Sequence, residues 1–252
     1  MSQGQFETLA HRGLKLALLR QNGMAPTFVW LGGFRSDMAG TKAEALAAWA
    51  AARGQAFVRF DYSGHGQSEG RFEDQVLSDW LGDTLAVLAK IEGPLVLVGS
   101  SMGGWIALLA ARALPERVKG LLLIAPAADF TEKLMWPALT ADEQARLLAE
   151  GRLEQPSQYS ADPNVLTRAL FEDGAKHRLM DGPIGFGGPV RILQGGADPD
   201  VPEAHVRALA ALIEAPALDF ELIADGDHRL SRPQDLQKLI AAADQLADAL
   251  AR

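Results

Sequence analysis

The segment PLVLVGSSMGGW, residues 94–105, is the strongest indication of the fold. Its first part, residues 94–98, is an apolar run with the length of a buried strand, and a helical run begins near Trp105. Residues 99–103, GSSMG, join the two. A strand that turns this sharply into a helix strains the central residue and leaves room only for glycine-sized neighbours, which predicts a nucleophile elbow with Ser101 as the candidate nucleophile. Ser100 is interpreted as a small residue that fills the turn.

The context of this pentapeptide makes it informative, because glycine and serine patterns of this kind also recur in structural turns. In an elbow, the Ser101 hydroxyl stands at the top of a parallel sheet, near a helix N-terminus. The free backbone amides of that terminus favour a developing negative charge. The alternative is a Gly/Ser turn without a chemical role.

Composition limits the classes of protein to consider. The 252 residues are 48% hydrophobic and 22% charged, which is typical of a globular protein with one large core. The net charge is -8, and the basic residues are scattered along the chain, which argues against a nucleic-acid or anionic-membrane surface. Cysteine is absent from the sequence, so disulfides, thiolate catalysis and cysteine-ligated zinc are excluded. Any nucleophile must be an oxygen or a nitrogen.

The start of the chain and the length of its apolar runs bear on location. Residues 1–8 have neither a basic start nor an apolar run of signal-peptide length. No segment offers the roughly 18 uninterrupted apolar residues of a membrane span. We therefore expect a cytoplasmic protein without a membrane span or a nucleic-acid partner, as a monomer or homodimer.

Short runs rich in valine, isoleucine and leucine alternate along the chain with alanine- and leucine-rich runs at helical spacing. This alternation predicts an α/β fold, a mostly parallel twisted sheet of about eight strands with helices on both faces. Residues 5–20 are expected to begin the sheet as antiparallel strands. The predicted parallel strands are residues 27–31, 56–60, 95–98, 121–124, 190–193 and 218–223. The predicted helices are residues 42–53, 75–91, 105–113, 204–213 and 233–251.

The alternation breaks after residue 128, where a helical stretch without an obvious strand follows. We interpret residues 129–188 as a lid of short helices, and residues 1–128 with 189–252 as the core domain. Some apolar lid residues are expected to line a hydrophobic pocket, Trp136 among them, although packing alone is the alternative. The apolar lid residues are Leu134, Met135, Trp136, Leu139, Leu147 and Phe171.

A serine is a poor nucleophile at neutral pH and needs a base within hydrogen-bond reach. His228 is the best candidate, because it follows the last apolar strand and precedes the C-terminal helix. Its loop, residues 225–228, should open at the same edge of the sheet as the elbow. The histidines judged less suitable by position are His11, His177 and His205.

The imidazole in turn needs a carboxylate to fix its tautomer and stabilise the imidazolium. Asp198 is the preferred candidate, because it follows the strand predicted at residues 190–193. The order of the three groups is then serine, aspartate, histidine, as expected for a nucleophile elbow. Asp200 and Asp227 are the rivals, and their alternative roles are helix capping or loop solvation.

An oxyanion must be met by two backbone amides, one of them from the residue after the nucleophile. Met102 is that residue, and the Phe34 amide in the loop LGGF, residues 31–34, is the expected second donor; a plain turn is the alternative. Arg35 either offers a positive charge near the mouth of the site or is solvated. His65, in the loop of residues 63–66, either contacts substrate or shapes the loop.

With these residues in place, the chain resembles the α/β-hydrolase superfamily over essentially its whole length. Residues 60–68, FDYSGHGQS, are similar to the loop that follows a core strand in that superfamily, where Asp61 braces the turn rather than reacting. The resemblance implies a serine hydrolase with Ser101, Asp198 and His228 as its catalytic triad.

Five segments are similar to a narrower family, the mitochondrial abhydrolases described as palmitoyl-protein thioesterases and mycophenolic acid acyl-glucuronide esterases. This resemblance implies a bacterial-type homologue that cleaves carboxylic esters or thioesters of hydrophobic acyl groups, small-molecule or protein-linked. The acyl-enzyme forms on Ser101, and no metal or organic cofactor is required. Carbon–carbon bond hydrolysis, perhydrolysis and a ligand-binding protein that retains the triad stay open. The segments are residues 34–38, 59–64, 99–105, 156–160 and 226–229.

Overall fold

The computed structural model describes residues 4–155 and 164–251. The segment 156–160, one of the five that carry the narrower resemblance, lies outside the described residues. Within the described part of the chain, no helix is both long and apolar enough to cross a membrane.

Eight strands of the described residues form one sheet, in the order β1-β2-β4-β3-β5-β6-β7-β8. The strands β3 to β8 are parallel, while β1 and β2 are antiparallel to each other and β2 is antiparallel to β4. The predicted α/β class, the antiparallel start and the parallel sheet are therefore confirmed. The strands are β1 Gln5–His11, β2 Leu14–Gln21, β3 Met24–Leu31, β4 Gln55–Phe60, β5 Leu95–Ser100, β6 Val118–Ile124, β7 Val190–Gly195 and β8 Leu218–Ile223.

Five long helices cover the two faces of this sheet. Their apolar faces pack against the sheet and form two core clusters. Strand β5 separates the clusters, because its side chains alternate: Leu95 and Leu97 belong to one cluster, Val96 and Val98 to the other. Burial on both faces explains why the strand reads as a continuous apolar run. The helices are α1 Thr41–Arg53, α2 Leu77–Leu88, α3 Met102–Ala113, α4 Glu203–Leu212 and α5 Pro233–Leu250.

Two helices differ from the prediction by more than one residue at an end. Helix α3 begins at Met102, directly after the elbow serine, and not at Trp105, because Gly103 and Gly104 are helical residues and not part of the turn. Helix α2 is shorter than residues 75–91. Its first predicted residues are extended and follow a short 3₁₀ turn at Phe72–Asp74, and the chain leaves the helix after Leu88.

The region predicted as a helical lid contains helices at Ala141–Glu150 and Arg168–Gly174 and a π-helical turn at Thr131–Met135. It also contains an antiparallel strand pair, Arg152–Gln155 with Asn164–Thr167, so the expectation that this region lacks strands was wrong. Each strand has only four residues, too few for a period-two pattern to stand out from the helical background.

Candidate active site

Ser101 lies at the junction of β5 and α3 with a backbone conformation of φ 54° and ψ -120°. Such a conformation costs a residue with a side chain about 1–3 kcal/mol and persists only where its surroundings enforce it. Here the Ser101 N–H donates to the Ile124 carbonyl at 2.9 Å, and the Ser101 carbonyl accepts from Gly104 N–H at 2.9 Å and Ala127 N–H at 3.1 Å. These three bonds hold the elbow in its strained form.

Glycines make the elbow possible by allowing close backbone approach. A Cβ atom on Gly103 would overlap the carbonyl oxygen of Leu31, and one on Gly99 would overlap the carbonyl oxygen of Gly103. Both neighbours are main-chain atoms, so they have no side-chain rotation with which to give way. The glycines are therefore required by the path of the chain itself.

The structure brings His228 and Asp198 together with Ser101. His228 Nε2 lies 3.1 Å from Ser101 Oγ, and His228 Nδ1 lies 2.8 Å from Asp198 Oδ2. Because an ionised carboxylate only accepts hydrogen bonds, Nδ1 carries the proton of a neutral imidazole and Nε2 is left to accept the serine proton. The Asp198 side chain is fully buried, whereas that of His228 is 18% exposed.

Asp198 is fixed by backbone amides of its own loop, which follows β7. Its Oδ1 accepts from Asp200 N–H at 2.9 Å and from Val201 N–H at 2.8 Å. Gln194, buried near the end of β7, donates to the Val201 carbonyl at 2.9 Å and lies 3.4 Å from Asp198 Oδ2. The carboxylate is thus held in one orientation toward His228.

The two rival aspartates lie in the loops that carry Asp198 and His228. Asp200 contributes its amide to Asp198, and Asp227 Oδ1 accepts from Leu230 N–H at 2.9 Å. The ligand atoms of Asp198, Asp200 and His228 lie within 4.8 Å of one another, a spacing that a metal ion could also use. The carboxylate–imidazole bond and the two amide bonds engage Asp198 and His228 Nδ1, so we interpret these two side chains as a hydrogen-bonded relay.

The remaining candidate histidines lie in other parts of the fold. His11 Nε2 is 3.9 Å from the buried carboxylate of Asp83, and His177 Nε2 is 2.7 Å from Ser78 Oγ at the start of α2. His205 is in the first turn of α4. None of the three has a bond to Ser101 or Asp198 among the interactions of the described residues.

The two segments predicted to form the oxyanion hole meet at Ser101. A Cβ atom on Gly33 would lie 3.4 Å from the Cβ of Ser101, so the loop before Phe34 passes directly over the nucleophile. Met102 is the first residue of α3, where backbone amides lack intrahelical partners. The geometry is compatible with amides of Phe34 and Met102 as the donors.

His65 does not stand at the mouth of the site, because it is only 4% exposed. Its Nε2 accepts from Arg35 N–H at 3.2 Å and its Nδ1 lies 3.2 Å from the Ser63 carbonyl. Burial lowers the pKa of His65 to about 4. Of the two roles left open by the sequence, contact with substrate and shaping of the loop, the structure favours the second.

Asp61 occupies the bracing position expected of it. Its carboxylate is buried and accepts from Met38 N–H at 2.7 Å and Gln67 N–H at 2.8 Å, which joins the loops after β3 and β4. Burial raises the pKa of Asp61 above its usual value.

Arg35 and Trp136, two of the predicted substrate-binding residues, both pack against aromatic rings. The Arg35 guanidinium lies 4.6 Å from the centre of the Phe72 ring. Trp136 packs edge-on against Phe171, with ring centres 5.5 Å apart. Phe34 and Met135 pack against both a core cluster of the sheet and a separate apolar cluster within residues 139–171, so the two clusters meet beside the predicted oxyanion loop.

Lys42, at the start of α1, was missed by the sequence analysis. Its Nζ donates to the carbonyl of Arg229, next to His228, and burial lowers the pKa of Lys42 to about 8. A lysine in the first turn of an amphipathic helix gives no signal of this contact. Gln194 was missed as well, although a polar residue at the end of an apolar strand is a signal that could have identified it.

Comparison with known proteins shows which family the chain belongs to. The family described as Serine aminopeptidase, S33 matches residues 31–180. The mouse protein named palmitoyl-protein thioesterase ABHD10, mitochondrial, is 37% identical over 93% of this chain and 80% of its own length. The solved mouse alpha/beta hydrolase domain-containing protein 10 has a TM-score of 0.90 and 35% identity, covering 98% of this chain and 100% of that one.

A second solved structure, from Agrobacterium vitis S4, has a description that names a hydrolase and no substrate. It matches with a TM-score of 0.91 and 46% identity over 96% of this chain and 97% of that one. The family match covers more than half of the chain, and the curated relative covers nearly all of it. The chain therefore belongs to the α/β-hydrolase family described as Serine aminopeptidase, S33, and the ABHD10 proteins are among its relatives.

Proposed function

We propose that the protein is a serine hydrolase that cleaves carboxylic esters or thioesters of hydrophobic acyl groups. The observation that carries the proposal is the hydrogen-bonded chain from Ser101 Oγ through His228 to the buried Asp198, built on a strained elbow. A strained nucleophile, a base in the correct tautomer and a buried orienting carboxylate are the parts that acyl transfer requires.

The first half of the reaction forms an acyl-enzyme. His228 Nε2 takes the hydroxyl proton of Ser101 as the oxygen attacks the acyl carbonyl, and Asp198 stabilises the resulting imidazolium. The Phe34 and Met102 amides donate to the oxyanion of the tetrahedral intermediate. His228 then gives the proton to the leaving alcohol or thiol.

The second half regenerates the serine. His228 removes a proton from water, the hydroxide attacks the acyl-enzyme, and the same amides hold the second oxyanion. The proton returns to Ser101 Oγ when the carboxylic acid leaves. All proton transfers are served by one imidazole, so the cycle needs no other reacting group.

Two observations support a hydrophobic acyl group. Phe34, Met135 and Trp136 are only partly buried apolar residues at the boundary of core and lid, beside the proposed oxyanion loop. The mouse and human relatives are named palmitoyl-protein thioesterases. We therefore include both small-molecule and protein-linked acyl thioesters among the substrates.

We further propose that residues 129–188 act as the lid over a core of residues 1–128 and 189–252. Asp129 supports this division, because its buried carboxylate accepts from Leu179 N–H at 2.9 Å and Met180 N–H at 2.8 Å and so ties the two ends of the insertion together. The cytoplasmic location expected from the sequence stays a prediction, since the curated ABHD10 relatives are named mitochondrial.

The test is steady-state hydrolysis of matched esters and thioesters with acyl chains of two to sixteen carbons. We expect kcat/KM to rise with chain length, and thioesters to be cleaved at least as well as esters. The Ser101→Ala variant, which should fold normally, is the control and should show no enzymatic turnover. Activity confined to short esters would reject the hydrophobic acyl class, and activity that survives in Ser101→Ala would reject the mechanism.

A further inference from the structure

The loop that carries the proposed Phe34 donor is a tight turn clamped at one end by Ser36. Ser36 N–H donates to the Gly33 carbonyl at 3.1 Å, and Ser36 Oγ donates to the same oxygen at 2.8 Å. The Gly33 carbonyl and the Phe34 N–H belong to one peptide unit and point in opposite directions. Holding the carbonyl toward Ser36 therefore aims the Phe34 N–H out of the turn.

The third residue of this turn, Arg35, has a left-handed backbone with φ 58°. The φ of Phe34, the second residue, is not positive. A turn with an i to i+3 bond and a positive φ only at its third residue is of type II, and that position normally requires glycine. In the common type I turn, the peptide between the second and third residues faces the other way. A residue with a side chain at this position therefore needs an additional interaction to hold the type II form.

His65 supplies that interaction. Its Nε2 accepts the Arg35 N–H, which belongs to the central peptide of the turn. The Ser63 carbonyl can only accept, so the proton of the neutral ring is on Nδ1 and Nε2 is an acceptor. The ring is packed edge-on between Tyr62, Phe72 and Trp80, with centres 5.0–5.5 Å away.

Ser63 and Asp83, which lie behind His65, are buried and hydrogen-bonded to each other. Ser63 donates to Asp83 Oδ2 through its amide at 2.8 Å and its hydroxyl at 2.6 Å, while the Trp80 indole N–H donates to the Ser63 carbonyl at 3.2 Å. Arg12 contacts the other oxygen of Asp83 at 3.3 Å. His65 therefore anchors the turn to helix α2.

We propose that His65 is a positioning residue for the oxyanion hole: by accepting the Arg35 N–H it fixes the central peptide of the turn at Gly33–Ser36. Together with the Ser36 bonds to the preceding peptide, this holds Phe34 in place with its amide aimed at the reacting carbonyl oxygen. This inference rests on the proposed serine hydrolase function. His65 touches neither substrate nor Ser101, and it acts only through the backbone of the turn.

The experiment compares three His65 variants in the full chain. His65→Phe keeps an aromatic ring but removes the acceptor, and His65→Asn reaches Ser63 but not Arg35. His65→Gln is the matched control, because its amide oxygen can occupy the position of Nε2 and accept the Arg35 N–H. Deleting an oxyanion donor outright costs about 100- to 1000-fold in kcat, so displacing one should cost roughly 10- to 100-fold in the Phe and Asn variants.

Three readouts separate positioning from a merely structural role. We expect kcat to fall with KM nearly unchanged, because an oxyanion donor acts in the transition state. Affinity for an alkyl trifluoromethyl ketone, which forms a tetrahedral adduct on Ser101, should fall by about the same factor as kcat. His65→Gln should retain most of the wild-type kcat and most of the affinity for the ketone. We expect this result whether or not the variants differ in melting temperature.

A double variant tests the turn directly. Glycine adopts the left-handed conformation freely, so Arg35→Gly should make the turn less dependent on His65. The loss of kcat caused by His65→Phe should therefore be several-fold smaller in an Arg35→Gly background than in the wild-type background.

The inference would be overturned if His65→Phe folds and keeps the wild-type kcat. It would also be overturned if His65→Phe lowers kcat equally in the wild-type and Arg35→Gly backgrounds. A wild-type protein that neither turns over esters nor forms the ketone adduct would instead overturn the proposed function.

Discussion

Acidification should destabilise the fold through the burial of His65. The pKa of this imidazole falls from its ordinary 6.5 to about 4, first because burial penalises the charged ring. Between these two values the unfolded chain binds a proton that the folded chain excludes, so stability is lost as the pH falls from 6.5 toward 4. This pKa difference lowers the free energy of unfolding by about 3 kcal/mol once the pH is below both pKa values, and by about 2 kcal/mol at pH 5.

Other charges near the ring alter this shift without reversing it. The Ser63 carbonyl and the carboxylate of Asp83 favour the charged ring, whereas the Arg35 guanidinium disfavours it. His65 is nearly fully buried, so solvent screens these interactions only weakly. The loss of stability caused by His65 should therefore exceed the change caused by titration of the exposed carboxylates.

The assay is urea unfolding of the wild type and of His65→Gln at several pH values between 7.5 and 4.5. The difference between the two proteins isolates His65, because the carboxylates titrate in both. We expect the unfolding free energy of the wild type, relative to the variant, to fall by about 2 kcal/mol between pH 7.5 and 5. If the unfolding free energy of the wild type, relative to the variant, stays constant or grows as the pH falls, the lowered pKa of His65 does not control this loss of stability.

Four further substitutions test the site and its framework. Asp198→Asn should lower kcat by about 10⁴-fold, because the amide favours the wrong tautomer of His228. Asp200→Asn, assayed in parallel, should remain within about tenfold of the wild type, and the reverse pattern would reassign the carboxylate. Asp129→Ala leaves the buried Leu179 amide and the partly buried Met180 amide without their acceptor and should lower the free energy of unfolding by about 3 kcal/mol in chemical denaturation. A loss below about 1 kcal/mol would show that other contacts hold the two ends of residues 129–188 together. Gly103→Ala should prevent the elbow from forming, so a folded variant with wild-type circular dichroism and turnover would contradict the close approach seen there.

The sheet and the elbow could be predicted because their signals are local. Strand β5 reads as a strand from four consecutive apolar residues, and the glycines around Ser101 follow from the space that the turn allows. The order of Ser101, Asp198 and His228 followed from placing each at the carboxyl end of a strand. These inferences need only the sequence and the rules of parallel sheets.

The features that escaped prediction depend on residues distant in sequence. The contact of Lys42 with the loop of His228 spans 187 positions, and helix periodicity does not distinguish such a lysine from a solvated one. The role of His65 requires the conformation of Arg35, a residue 30 positions away. The strand pair within residues 152–167 was not predicted because each strand has only four residues, too few for a period-two pattern to stand out.

We propose Ser101 as the nucleophile, activated by His228. Labelling with an alkyl fluorophosphonate, followed by intact mass spectrometry and peptide mapping, tests this assignment. We expect one adduct per chain, on Ser101 and not on Ser100, with labelling lost in Ser101→Ala and slowed by orders of magnitude in His228→Ala. An adduct on another residue, or turnover of esters and thioesters undiminished in Ser101→Ala, would contradict the assignment.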